Sequence, residues 1–240
     1  MTPSVIVTGA SGGIGSKICE TFHGAGFSVF GIDRTPSEWT AGLSLDLEEA
    51  SVGTRVRETC DVSGLSVIVH AAAEQPLGEM REQDVSTWQR VMWTNVLALN
   101  SLVREFSEEM SANRGSVVAI GSVHSVSSRK GNGAYAVSKA ALEGWVRAAA
   151  LEYGPSIRVN SVIPGAIDAG ALNHYLDSLG SKGSKVLEQI SSRTPLRRIG
   201  NSADIASAVV YLASESASFI TGQNLIVDGG ASLLLATEVD

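Results

Sequence analysis

The chain has 240 residues, 44% hydrophobic and 18% charged, enough apolar material for one globular domain with a sizeable core. Its net charge of −7 argues against a nucleic-acid surface, which needs a basic face. Two cysteines are too few for a disulfide framework, four histidines show no metal-ligand spacing, and no stretch approaches the roughly 18 apolar residues of a membrane span.

Short apolar, β-branched runs alternate with longer helical patterns. Val5-Ile6-Val7 reads as the first strand, followed by a glycine-rich turn and a helix over 13–25, where Ile14, Ile18 and Phe22 recur at helical spacing. Phe27 to Ile32 is the second strand, Leu43 to Leu47 a weaker one, and 48–60 a helix. Val67 to Val69, a long helix over 84–111, Ser116 to Ile120, a helix over 134–152 and Arg158 to Ile163 follow. The least regular stretch, 169–195, reads as a mobile substrate lid or an added helical hairpin, with the lid preferred. A helix over 202–213 and a strand at Leu225 to Val227 end the pattern. The strand runs are apolar on successive residues, as strands buried on both faces are. The expected fold is a single-domain, Rossmann-like, doubly wound parallel sheet of about seven strands with helices on both faces. The N-terminus enters a strand pattern at once and has no basic leader, so a reducing, cytoplasmic setting is expected.

The first strand runs straight into Gly9-Ala-Ser11-Gly-Gly13-Ile14-Gly15 and then a helix. Strand, glycine turn and helix are the context of a dinucleotide site. Glycine admits positive φ and close approach by a phosphate, and a helix N-terminus offers free N–H groups. The spacing is Gly-x3-Gly-x-Gly rather than the usual Gly-x-Gly-x2-Gly. Asp33, at the end of the second strand, can accept hydrogen bonds from the adenosine ribose hydroxyls and would repel a 2′-phosphate. Arg34 can bind a 2′-phosphate, lie on the adenine or point to solvent. Asp46, with Leu47 beside it, can reach the adenine edge, and a plain turn accounts for it almost as well. NAD is preferred to NADP.

Tyr135 and Lys139 are four apart and share a helix face. An ammonium beside a phenol favours the phenolate. Ser122, brought close to both, can polarise a carbonyl.

In this order, Thr8-Gly9-x3-Gly13-x-Gly15, Asn95, Ser122, Tyr135-x3-Lys139, Pro164-Gly165 and Ile220-Thr-Gly-Gln-Asn-Leu-Ile-Val-Asp-Gly-Gly230 resemble the short-chain dehydrogenase/reductase family over nearly the whole chain. The resemblance implies that Tyr135 exchanges a proton with the alcohol or alkoxide oxygen and that Ser122 hydrogen-bonds that oxygen. It implies that Lys139 lowers the phenol pKa and holds the nicotinamide ribose, and that Asn95 anchors a water relaying protons to Lys139. The segment Pro164-Gly165-Ala-Ile167 would face the nicotinamide, and the backbone at Ala71, Ala72 and Ala73 would pass over the cofactor ribose. No metal is needed, because the ring carries the hydride and Tyr135 the proton.

The chain also departs from the family pattern. His70-Ala71-Ala72-Ala73 replaces the Asn-Asn-Ala-Gly of many relatives, so the Asn that steadies the strand is missing. Ala169 stands where a Thr is common, and Gly12 where NADP-preferring relatives often carry Arg. The leading expectation is an NAD-dependent oxidoreductase interconverting a small-molecule secondary alcohol and a ketone. Alternatives are an NADPH-dependent 3-oxoacyl-thioester reductase, a non-catalytic dinucleotide-sensing protein and a nucleotide-sugar epimerase or dehydratase. His124, two residues beyond Ser122, either contacts substrate or faces solvent; Glu74 and Gln75 are further candidates. The resemblance implies a homotetramer built through the Asn95 and Tyr135 helices and the last strand.

Overall fold

The computed structural model describes residues 2–40, 44–48 and 51–234. In chain order it forms β1 (Ser4–Thr8), α1 (Gly13–Gly24), β2 (Ser28–Ile32), α2 (Val52–Thr59) and β3 (Leu65–His70). Then come α3 (Val85–Met92), a π-helical turn (Trp93–Leu97), α4 (Ala98–Glu105), α5 (Ser107–Ala112), β4 (Ser116–Ile120) and α6 (Gly133–Tyr153). The chain continues through β5 (Arg158–Pro164), β6 (Ile167–Asp168), α7 (Gly170–Ser178), α8 (Gly183–Ser192), β7 (Gly200–Asn201), α9 (Ser202–Ala213) and β8 (Asn224–Val227).

Six strands pair in parallel in the order β2-β1-β3-β4-β5-β8. Their uninterrupted apolar sequences follow from burial on both faces. Ile6, Ile68, Val117 and Val159 point into one core with Val56 of α2, Leu99 and Leu102 of α4 and Leu142 of α6. Their neighbours Val5, Val7, Val67, Val69, Val118 and Val162 point the other way, against Ile18 and Phe22 of α1 and Ile205 and Val209 of α9. The order reverses between β1 and β3: the chain leaves β1 for β2 on one side and returns to β3 on the other. That switch point opens a crevice beyond the carboxyl ends of the strands, where open α/β sheets hold ligands.

Expectations about several elements are corrected. Among the described residues the main sheet has six strands, not seven, with β6 and β7 forming a separate two-residue ribbon. Ser44 to Leu47 is not a strand, and Leu43 lies outside the described residues. Leu45 and Leu47 alternate because both are buried, and Leu45 N–H donates to Asp33 C=O at 2.9 Å; the segment is a tethered loop beside β2. The helix expected at 48–60 is Val52–Thr59, with 49 and 50 outside the described residues. The long helix expected over 84–111 is split into α3, α4 and α5 by the π-helical turn and by Phe106, whose ψ of 15° breaks the helical run. The stretch 169–195 folds as two helices, α7 and α8, that pack on each other.

Candidate active site

The glycine turn exists because backbone meets backbone there. Gly9 has φ +69°, and a Cβ on it would lie 2.7 Å from the amide nitrogen of Ala72. A Cβ on Gly15 would lie 2.0 Å from Gly9 C=O. Only hydrogen fits at either position. The turn delivers the chain to α1 with Gly12 as its cap, no side-chain cap and no acid in the first turn. The first N–H groups of α1 are left for an anion, and no carboxylate in its first turn opposes one.

From this turn a cleft of about 570 Å³ runs along the strand ends. It is lined by Gly9, Gly13, Ile14 and Gly15; by Asp33, Arg34, Asp46 and Leu47; and by Ala71, Ala72 and Ala73. Ser122, His124, Tyr135, Lys139, Pro164, Gly165 and Ile167 line its other end. Two expected site residues lie off this lining. Ser11 sends its hydroxyl to Thr35 C=O at 2.5 Å, and its backbone N–H to Asp33 Oδ2 at 3.0 Å. Asn95 is fully buried behind the wall.

Asp33 is held at the cleft rim by two backbone donors, Ser11 N–H and Thr35 N–H, at 3.0 and 2.9 Å. Arg34 is committed to a carboxylate: its guanidinium lies 2.8 Å from Glu74 Oε1 across the cleft mouth. Asp46 accepts from Glu48 N–H at 3.0 Å, and Leu47 C=O accepts from Trp93 Nε1–H at 2.6 Å, which ties this wall to the π-helical turn. Ala169 caps α7, and its Cβ lies 3.3 Å from the place a Gly13 Cβ would take, so the small residue lets α7 start hard against the glycine turn.

Tyr135 and Lys139 occupy the first two turns of α6, and both are buried. Ser122 caps a short 3-10 turn after β4; its Oγ accepts from His124 N–H at 3.2 Å, and its hydroxyl lies beside the Tyr135 phenol. The His124 ring packs edge-on against the Tyr135 ring at 5.8 Å. Burial pushes the phenol pKa up, and the Ser122 hydroxyl pulls against it. The expected lowering by Lys139 is not seen. Nζ lies 5.6 Å from the Tyr135 ring centroid and donates to Ile120 C=O at 2.7 Å, while burial brings its own pKa down to about 8. One of its three N–H groups is engaged by that backbone carbonyl, and in this arrangement Ser122 is the group that favours the phenolate.

Asn95 sits in the π-helical turn, a feature frequent at functional sites. Its amide clamps the Glu74 peptide: Glu74 N–H donates to Oδ1 at 2.7 Å, and Nδ2 donates to Glu74 C=O at 3.0 Å and to Ser138 Oγ at 2.8 Å. The side chain therefore braces the loop after β3 against α6.

His70 supplies the steadying contact that its sequence context had left unassigned. It is fully buried, with Nδ1 2.9 Å from Thr8 Oγ1 and Nε2 3.0 Å from Thr94 C=O. A carbonyl only accepts, so Nε2 carries the proton and Nδ1 accepts from the Thr8 hydroxyl. Thr8 Oγ1 in turn accepts from Ala72 N–H at 3.2 Å. One imidazole thus ties the first strand, the third strand and the π-helical turn. Burial, and then the charge of Lys139, lower its pKa to about 3.

The cleft also contains residues that sequence reasoning missed: Thr94, Leu45, Arg129, Leu172 and Ile190. Arg129 had a signal, since it lies in the connection between Ser122 and Tyr135. Leu172 and Ile190 had none, because their arrival depends on how α7 and α8 fold over the cleft.

A family model described as enoyl-(acyl carrier protein) reductase matches residues 9–232. The chain belongs to the short-chain dehydrogenase/reductase family. Nodulation protein G of Rhizobium sp. (strain N33) is 32% identical over 244 residues, covering 95% of this chain and 96% of that protein. The ligand-free aldohexose dehydrogenase of Thermoplasma acidophilum superposes with a TM-score of 0.90 at 30% identity, covering 100% of this chain and 97% of that one. A 4-hydroxyisoleucine dehydrogenase complexed with NADH gives a TM-score of 0.85 at 26% identity, over 97% of this chain and 100% of that one. This short-chain dehydrogenase/reductase is therefore an oxidoreductase of a family that binds nicotinamide dinucleotides. Among its described residues no helix is long and apolar enough to cross a membrane.

Proposed function

We propose that the protein is an NAD-dependent dehydrogenase that interconverts a secondary alcohol and a ketone, with Tyr135 as general acid and base. The observation that carries this reading is the meeting, in one cleft, of an Asp33 carboxylate at the nucleotide end and the Ser122–Tyr135 pair at the other. The donor set suits the dinucleotide: bare glycine backbone and uncapped helix N–H groups for the pyrophosphate, and a carboxylate for the ribose diol. Arg34, the residue after Asp33, is already paired with Glu74. That arrangement favours NAD over NADP.

The bound nicotinamide supplies a hydride acceptor or donor. In alcohol oxidation, Ser122 orients the hydroxyl and Tyr135 takes its proton as the C–H pair leaves; in ketone reduction Tyr135 returns that proton to oxygen. Lys139 holds positive charge behind the phenol. Pro164, Gly165 and Ile167 wall the ring side of the cleft. The α7–α8 hairpin acts as the substrate lid, since Leu172 and Ile190 reach the cleft from it. A cytoplasmic homotetramer is the expected working form. Its support is the family resemblance together with the apolar edge strand β8, where Leu225 and Ile226 are exposed.

Asp33→Ala is expected to move the ratio of catalytic efficiencies, NAD over NADP, at least tenfold toward NADP, about the value of one charge-assisted hydrogen bond. Steady-state kinetics with both cofactors checks this, and an unchanged ratio removes Asp33 from cofactor choice.

A further inference from the structure

The cleft contains two arginines in different electrostatic situations. Arg34, at the nucleotide end, is paired with Glu74 at 2.8 Å. Arg129, at the substrate end, has no carboxylate partner among the described residues. Its guanidinium carbon sits 3.7 Å above the centroid of the Tyr175 ring, which α7 brings over from the lid hairpin. Stacking uses the flat face of the guanidinium and leaves its N–H groups, which lie in the plane, open for another partner.

The charges around it point one way. The carboxylates lining the cleft, Asp33, Asp46 and Glu74, all stand at the nucleotide end. The substrate end adds His124, whose pKa is lowered by burial and then by the charge of Arg129 itself, so it is neutral at neutral pH. A protein carrying a net charge of −7 thus keeps, besides the buried Lys139, an arginine without a carboxylate partner among the described residues at the Ser122–Tyr135 end. Leu172 and Ile190 add apolar surface to the same cleft.

We infer that the substrate is a hydroxy acid, or the matching oxo acid, whose carboxylate is received by Arg129 on its Tyr175 platform while its alcohol carbon faces Ser122 and Tyr135. A single planar fork matches a planar monoanion in two parallel hydrogen bonds. A phosphate dianion normally recruits several donors, and the other cation lining this end, Lys139, is buried with its Nζ donating to Ile120 C=O. The inference rests on the proposed dehydrogenase reading and deepens it by naming the charge and shape of the substrate. It also gives the lid a role: closing the hairpin brings Tyr175 under the guanidinium and fixes the receptor before hydride transfer.

The test is a panel of hydroxy acids, each measured against its own methyl ester, with phosphorylated polyols as a third arm and nicotinamide absorbance as the readout. The expected result is a kcat/KM for the preferred acid at least about 30-fold above that of its ester, within the range a charge-assisted pair supplies. In Arg129→Met that ratio should collapse toward one, chiefly through a higher KM, with NADH affinity kept as a check on folding. Arg129→Lys should recover part of it, because it restores the charge without the fork. Esters turning over as well as acids, phosphorylated polyols outpacing both, or a ratio that survives Arg129→Met would each overturn the inference while leaving the dehydrogenase reading in place. No turnover of any alcohol or ketone, charged or neutral, would overturn that reading and the inference with it.

Discussion

Tyr135→Phe is expected to lower turnover by roughly 10²- to 10⁴-fold, the usual contribution of a positioned general acid, while NADH still binds. Phenylalanine keeps the ring that packs against His124 and fills the same buried space. Only the hydroxyl goes, and with it the proton carrier and the partner of Ser122. Near-wild-type turnover would take Tyr135 out of the mechanism. The same phenol sets a pH signature. Its pKa is raised by burial, so the phenolate needed for oxidation is scarce near neutral pH. The kcat/KM for alcohol oxidation should therefore climb about tenfold per unit between roughly pH 6 and 8. Ketone reduction, which needs the neutral phenol, should be flat over the lower part of that range. A level oxidation profile would contradict the assignment.

His70 should make the fold acid-sensitive. In the folded protein it stays neutral down to about pH 3, while in the unfolded chain it takes a proton near its ordinary value of 6.5. Its folded pKa is depressed, so below about 6.5 the unfolded state binds the extra proton and stability falls with pH. The slope is about 1.4 kcal/mol per unit. The contribution is whole above 6.5 and is lost progressively as pH falls toward 3. Between pH 7 and pH 5 this one residue should cost roughly 2 kcal/mol. Asn at position 70 has no proton to gain. His70→Asn should be less stable than wild type at pH 7, because the imidazole no longer spans Thr8 and Thr94 C=O. It should nevertheless lose about 2 kcal/mol less on going to pH 5. Urea unfolding of both proteins at the two pH values measures the difference, and equal acid losses would show that His70 does not titrate across folding.

The strands were the most legible part of the chain. Ser116–Ile120 runs over the residues its apolar pattern marked, because a strand buried on both faces must be apolar at every position. The glycine turn was equally legible, since backbone contacts at Gly9 and Gly15 admit no other residue. The loop at 44–47 misled because two buried leucines at alternate positions imitate a strand, and only hydrogen-bond pairing tells the two apart. The broken helix at 93–97 misled because a π-helical turn leaves the apolar periodicity nearly intact. At position 70 the comparison with relatives marked a missing Asn, when the residue present makes a lock of its own.

From its sequence alone this chain determined a strand–helix alternation, a bare glycine cradle at the head of a helix, and a Tyr and a Lys on one helix face. These follow from local rules of burial, backbone sterics and helical spacing, which act over a few residues. Tertiary structure alone decided where the Lys139 proton goes, which carboxylate silences Arg34, and which ring supports Arg129. Each of those depends on the charge and distance of groups from separate elements, and electrostatics in a buried cleft is set by which neighbours the fold brings within a few ångströms.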